Sequence, residues 1–134
     1  MKIEPGIYVK LQSGWIRIKE KIARVTTSKR RGGGGRVVNV TYSLVGESID
    51  GEPHGTKVVD EFYISAFKVS RYISKALDII DKKAIMVVKP AGMETYKVII
   101  YDGDKNIAKE LRQLATDMKA IKTKIKTGVK ESSS

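Results

Sequence analysis

The chain has no cysteine. That excludes a disulfide frame, a zinc-thiolate site and a catalytic thiol, and it points to a reducing compartment, the cytoplasm. It has one histidine, His54, in a turn-rich stretch. No nucleophile and base stand at a spacing that would build a catalytic constellation around it. Long apolar runs are missing too. No window approaches the roughly 18 apolar residues of a membrane span, and the amino terminus MKIEPGIYVK lacks the apolar segment of a signal peptide. Asparagine and glutamine are scarce, beside many Lys, Ile and Val, which fits a chain selected for heat. No internal repeat is visible.

Acidic residues are also in deficit, 15 against 26 Lys and Arg, for a net charge of +11 over 134 residues. A chain of this length is one domain with one real core. The charge is unevenly placed: residues 1–36 carry a net +8, residues 37–103 a net −1 and residues 104–134 a net +4. A neutral middle between two basic ends suits a groove or arm for nucleic acid, and the plain alternative is a lysine-rich thermophile surface. The densest stretch is Trp15–Arg36, where Arg17, Lys19, Lys21, Arg24, Lys29, Arg30, Arg31 and Arg36 stand against Glu20 alone. Its partner should be polyanionic.

Gly6–Leu11 reads as a short edge strand or a lead-in, closed by the Ser13-Gly14 turn. From Trp15 the residues alternate. Ile16, Ile18 and Ile22 fall on one face, and Trp15, Arg17, Lys19 and Lys21 on the other. The phase slips after Ile22, which predicts a bulge there. Ser28–Gly35 is a glycine-rich basic loop, and further strands are expected at Val37–Val45, Val58–Ile64, Ala84–Lys89 and Thr95–Tyr101. Ser65 is the expected cap of a helix running to about Ile80. Within that helix Ala66, Val69, Ile73, Ala76, Leu77 and Ile80 form one apolar stripe.

The last element starts near Asp104. Ile107, Leu111, Leu114, Met118, Ile121 and Ile125 are spaced four and three by turns, a heptad seam. Such a seam can dock on its own sheet or pair with a second chain, giving a homodimer. These joints divide the chain into a β domain over 1–103, a docking or dimerisation helix over 104–127 and a disordered tail over 128–134.

The element order, strand, strand, strand, helix, strand, strand, with a long bent first strand, resembles an oligonucleotide-binding (OB) fold. The segment GESIDGEPHGTKVVDEFYI followed by SAFKVSRYISKALDII resembles part of phage and virus single-stranded DNA-binding proteins, where a G-x-x-x-G-(K/R) turn leads into a strand and a helix. The matching positions are Gly51, Gly55, Lys57, Asp60, Phe62 and Ile64. In size and in Lys, Ile and Tyr usage the chain is also similar to small single-stranded DNA-binding proteins of archaeal viruses. The resemblance implies a mainly antiparallel α+β domain, an OB-like barrel with an added C-terminal amphipathic helix. The alternative is a non-OB curved antiparallel sheet with two helices.

The resemblance also implies non-catalytic, largely sequence-independent binding of single-stranded DNA in replication, recombination or repair, without cofactor or metal. RNA and duplex DNA are alternatives, as is a coiled-coil protein-interaction adaptor. Single strands need cations for phosphates and flat side chains for unstacked bases. The expected contact residues are therefore Trp15, Arg17, Lys19, Lys21, Arg24, Lys29, Arg30, Arg31 and Arg36, with Tyr63, Tyr96 and Lys97 from later strands. Phe62 and Tyr42 are expected in the core. The glycines of RRGGGGR would let backbone N–H groups approach phosphate, although no Lys-Ser/Thr follows as a P-loop requires. Asp78 and Asp81, with Asp102 and Asp104, could serve a metal-dependent nuclease if folded together, but their spacing does not ask for a metal. The terminal helix has no aromatic anchor for a membrane surface.

Overall fold

Two runs of consecutive apolar residues, IYV in Gly6–Leu11 and IMVV in Ile85–Pro90, are buried on both faces. Strands of that kind take the middle of a sheet. The computed structural model describes residues 3–29 and 36–118, with the side chains of 26–29 and 36–42 outside the description. The elements are β1 (Gly6–Leu11), β2 (Gly14–Lys29), β3 (Arg36–Ile49), β4 (Val58–Ser65), a 3-10 turn (Ala66–Lys68), α1 (Val69–Ile80), β5 (Ile85–Pro90) and β6 (Thr95–Tyr101). A second helix, α2, occupies residues 105–118.

The six strands form one sheet in the order β3-β2-β1-β5-β6-β4. β1 and β5 are parallel, and every other neighbouring pair is antiparallel. The α+β class and the mainly antiparallel sheet with two helices are thus as the sequence suggested. The closed OB-like barrel is not. β3 and β4 lie at opposite rims of an open sheet. The cause is β1, which was read as an edge or lead-in. Its doubly buried Ile7, Tyr8 and Val9 place it centrally between β2 and β5, which pushes β3 to the rim.

Both helices cover one face. Ile7, Val9, Ile18, Phe62, Ile64, Met86, Val88, Val98 and Ile100 from the sheet meet Tyr72, Ile73, Ala76 and Ile80 of α1 and Ala108, Leu111, Ala115 and Met118 of α2. Ser65 accepts a hydrogen bond from the Phe67 N–H at 3.3 Å, so it caps the 3-10 turn that leads into α1. Asp104 caps α2 by accepting from the Asn106 N–H at 2.7 Å. The buried Tyr72 hydroxyl donates to the Leu111 carbonyl at 2.7 Å, tying the helices together. Burial pushes that phenol well above its ordinary pKa.

Over residues 105–118 the heptad seam docks on its own sheet. Leu111 and Met118 are buried, and Ile107 and Leu114 pack at the margin. Ile121, Ile125 and the tail over 128–134 lie outside the described residues. Among the described residues no helix is long and apolar enough to cross a membrane.

The opposite face carries a smaller cluster, Tyr8, Trp15, Ile85, Val87 and Ile99, with Ile3, Ile49 and Tyr101 against it. Among the described residues no helix covers it; the connections do. β3 ends at one rim and β4 begins at the other, so residues 50–57 cross this face as a strap. Pro53 within the strap is fully buried, and Glu52 reaches Lys89 of β5 at 3.4 Å. A Cβ at Gly55 would run into Tyr101 and the Asp102 carboxylate, so only glycine lets the strap pass this close. Asp102 accepts from the N–H groups of Thr56 and Lys57, both at 2.7 Å. The N-terminal segment lies here too. Tyr8 donates its hydroxyl to the Glu4 carbonyl at 2.6 Å, and Arg17 donates to Pro5 O at 3.0 Å.

Two outcomes test this arrangement. Leu111→Ala should lower unfolding free energy by about 2–5 kcal/mol in a denaturant titration, because Leu111 is fully buried between α2 and the sheet. Asp60 should make stability pH-dependent. Arg112 holds it with hydrogen bonds of 2.7 and 2.8 Å and depresses its pKa below the usual carboxylate value. A depressed folded pKa contributes stability that is complete above the unfolded value, about 4, and is lost as pH falls through the folded one. The stability difference between the natural chain and Asp60→Asn should therefore be flat at neutral pH and shrink below about pH 4.

Candidate nucleic-acid interface

β2 is long and β1 is short. β1 pairs with β2 only from Gly14 to Ile18, whereas β3 follows β2 out to the Lys29–Arg36 pair. From Ala23–Tyr42 to Lys29–Arg36 the two strands have no strand neighbour on either side. They form a two-stranded arm of seven residue pairs, about 20 Å at the usual strand rise.

A bulge separates sheet from arm, and it lies at Lys19 rather than after Ile22. The register passes from Ile18–Gly46 to Glu20–Val45, leaving Lys19 as the extra residue. Gly46 permits it, since a Cβ there would stand 2.6 Å from the Arg17 carbonyl oxygen. The displaced bulge changes which way the later side chains point. Lys21, expected beside Trp15 and Arg17, turns to the helical side and donates to the Ser74 carbonyl at 2.9 Å and to Asp78 at 2.7 Å. Ile22, expected in the core, is 51% exposed.

The other expected contact residues separate into groups. Trp15 is buried in the smaller cluster at 9% exposure, with the Lys10 ammonium 6.0 Å from its ring. This overturns its reading as an open stacking platform. The parity that put Trp15 opposite the isoleucines is right, but the strap, Ile49 and Tyr101 make that second face a core as well. Tyr96 packs against the main core. Tyr63 remains 53% exposed, with the Lys97 ammonium 5.9 Å from its ring. Tyr42 lies on β3 with its side chain outside the description, and Phe62 is in the core as expected.

The sheet's cations carry their own counterions. Arg17 pairs with Glu4 at 2.8 Å, Lys19 with Glu47 at 2.9 Å, Lys89 with Glu52 at 3.4 Å and Lys97 with Glu61 at 3.5 Å. Exposed pairs of this kind contribute only about 0–1 kcal/mol to stability, but they neutralise the face. The arm differs. Residues 22–46 hold five Lys and Arg and no Asp or Glu. Arg24 is exposed there and makes no ion pair among the described residues. Lys29 and Arg36 close the described ribbon, while Arg30, Arg31 and Gly32–Gly35 lie outside it.

Sequence reasoning missed the acids that silence the sheet face, and Lys10 over Trp15. Register was the lacking signal. Once Trp15 is set opposite Ile49, Arg17 falls opposite Glu47. Among the described residues no group of three or more His, Asp or Glu side chains could hold a metal ion. The positions of the phage-like segment have structural work here: Gly55 and Lys57 hold the strap, Asp60 holds Arg112, and Phe62 and Ile64 fill the core.

No protein-family model, curated protein or solved structure matches the chain. The assignment of function rests on the geometry alone.

Trp15, the sole tryptophan, gives a direct readout. Its emission should be blue-shifted and weakly quenched by acrylamide, and a saturating oligonucleotide should leave it nearly unchanged. Strong quenching on oligonucleotide binding would mean that bases reach the ring.

Proposed function

We propose that the protein is a non-catalytic, largely sequence-independent nucleic-acid-binding protein that grips phosphates with the β2–β3 arm. The observation that carries this reading is the contrast in charge. Four cations on and beside the sheet face are matched by carboxylates, whereas residues 22–46 hold five Lys and Arg and no acid, and Arg24 on the ribbon makes no ion pair among the described residues. Cations on a narrow element with no acid in its own sequence suit a densely charged polymer, whose condensed counterions they displace.

The form favoured is duplex DNA. A two-stranded ribbon fits a major groove about 12 Å wide, and with Trp15 buried the strongest candidate for stacking on unpaired bases is lost. Binding of single-stranded DNA is the second reading, supported by Tyr63, exposed beside Lys97. On that reading Tyr63→Ala weakens single-strand binding by about 1–3 kcal/mol and leaves duplex binding alone.

Fluorescence anisotropy with matched single- and double-stranded oligonucleotides across a salt series tests both. The natural chain should show log affinity falling linearly with log salt. Replacing Lys29, Arg30 and Arg31 together with Ala should reduce that slope by about 2–3 on duplex, at roughly 0.9 per phosphate contact. An unchanged slope would remove the arm from the interface.

A further inference from the structure

The two rims of the sheet are treated differently. β4 is guarded: its register shifts between Val58 and Asp60, it carries Asp60 and Glu61, and Arg112 of α2 reaches over it to both Asp60 oxygens. Bulges and charges of this kind discourage pairing with another chain. β3 carries no bulged residue of its own, since the extra residue of the β2–β3 pair is Lys19 of β2, and its charged residues, Arg36 and Glu47, lie towards its ends. It runs for 14 residues, pairs only with β2 and is joined to no other described strand. Residues 37–46, VVNVTYSLVG, contain no Lys, Arg, Asp, Glu or Pro, and no other run in the chain without a charged residue is as long. Beside this rim Ile22, Val25 and Val45 are exposed at 51%, 60% and 37%.

We infer that β3 pairs antiparallel with β3 of a second copy, joining two sheets rim to rim about a two-fold axis. Charge selects this occupant. Two chains of net charge +11 repel over most of their surfaces, but along 37–46 no like charges meet. A two-fold axis normal to the sheet brings Thr41 opposite Thr41 of the second copy, or Tyr42 opposite Tyr42. In neither register does a charged residue face one of its own sign. The nearest basic strands, β2 and its copy, then lie three strand spacings apart, about 14 Å, beyond a Debye length of about 8 Å at physiological salt. Pairing through the same strand on both copies is isologous, so it closes at two. The guarded β4 rims end the sheet on both sides. The pairing points the two basic arms in opposite directions, and it does not depend on their binding nucleic acid.

Light scattering and sedimentation without nucleic acid test the pairing at micromolar concentration. The natural chain should have twice the 14.9 kDa mass of one copy. Thr41→Lys with Ser43→Lys should be monomeric, because both registers then set lysine against lysine. Thr41→Glu with Ser43→Glu should be monomeric for the same reason. Circular dichroism should show both variants folded, and mixing them should restore the doubled mass through lysine–glutamate pairs. A monomeric natural chain, a dimer that survives both variants, a mixture that stays monomeric, or open-ended assembly would each overturn the inference. A dimer that survives would have to use a surface other than the β3 rim.

Discussion

Because β1 pairs with β2 only as far as Ile18, every residue of β2 beyond the Lys19 bulge has β3 as its one strand neighbour. The mismatch in strand length divides a single hairpin into two parts with different physics. Its base belongs to the sheet and is buried from both sides; Trp15 and Ile18 are each part of a core. Beyond Ile22 its outer part has no third described strand alongside to pair with it. An uncovered ribbon has no core to fill and can be written in any soluble residues. Here, past Ile22, its charged residues are all cations.

The crossing of the strap is the second consequence. With β1 and β5 at the centre, β3 and β4 fall on opposite rims, and their connection must traverse a face. This converts what would be an open β surface into a thin second core around Val87 and Ile99. The exchange has a cost in access. Side chains that look outward by parity, Trp15 above all, are closed off by residues 50–57 and by the N-terminal segment that Tyr8 and Arg17 hold.

Much of this was legible in the sequence. Gly6–Leu11 and Thr95–Tyr101 were read with the bounds they have, Asp104 does cap, Ser65 caps the 3-10 turn ahead of α1 rather than α1 itself, and the apolar stripes face the core over Val69–Ile80 and 105–118. Alternation and capping are local, and local signals survive without knowledge of partners. What failed was long-range. Nothing within Gly6–Leu11 says that it will pair in parallel with a strand some 80 residues away, although three successive buried apolar residues are the mark of a central strand. The bulge was misplaced because its cause, Gly46, is on another strand. The barrel failed for the same reason: an order of elements does not state which rims meet.

The candidate site moved with those corrections, and charge explains the direction of the move. In the sequence Arg17, Lys19 and Lys97 look equal to Arg24, because each is a cation on a strand. In the fold they are not equal. Arg17 is pinned between Glu4 and the Pro5 carbonyl with its side chain 17% exposed, and Lys97 faces Glu61. A polyanion approaching these groups would have to displace a carboxylate already in place and then lie beside it. At Arg24 no carboxylate among the described residues has to be displaced, and the release of counterions favours binding. Pairing, more than the number of cations, therefore sets which part of a basic protein a polyanion prefers, and it is why the proposed interface is the arm rather than the sheet.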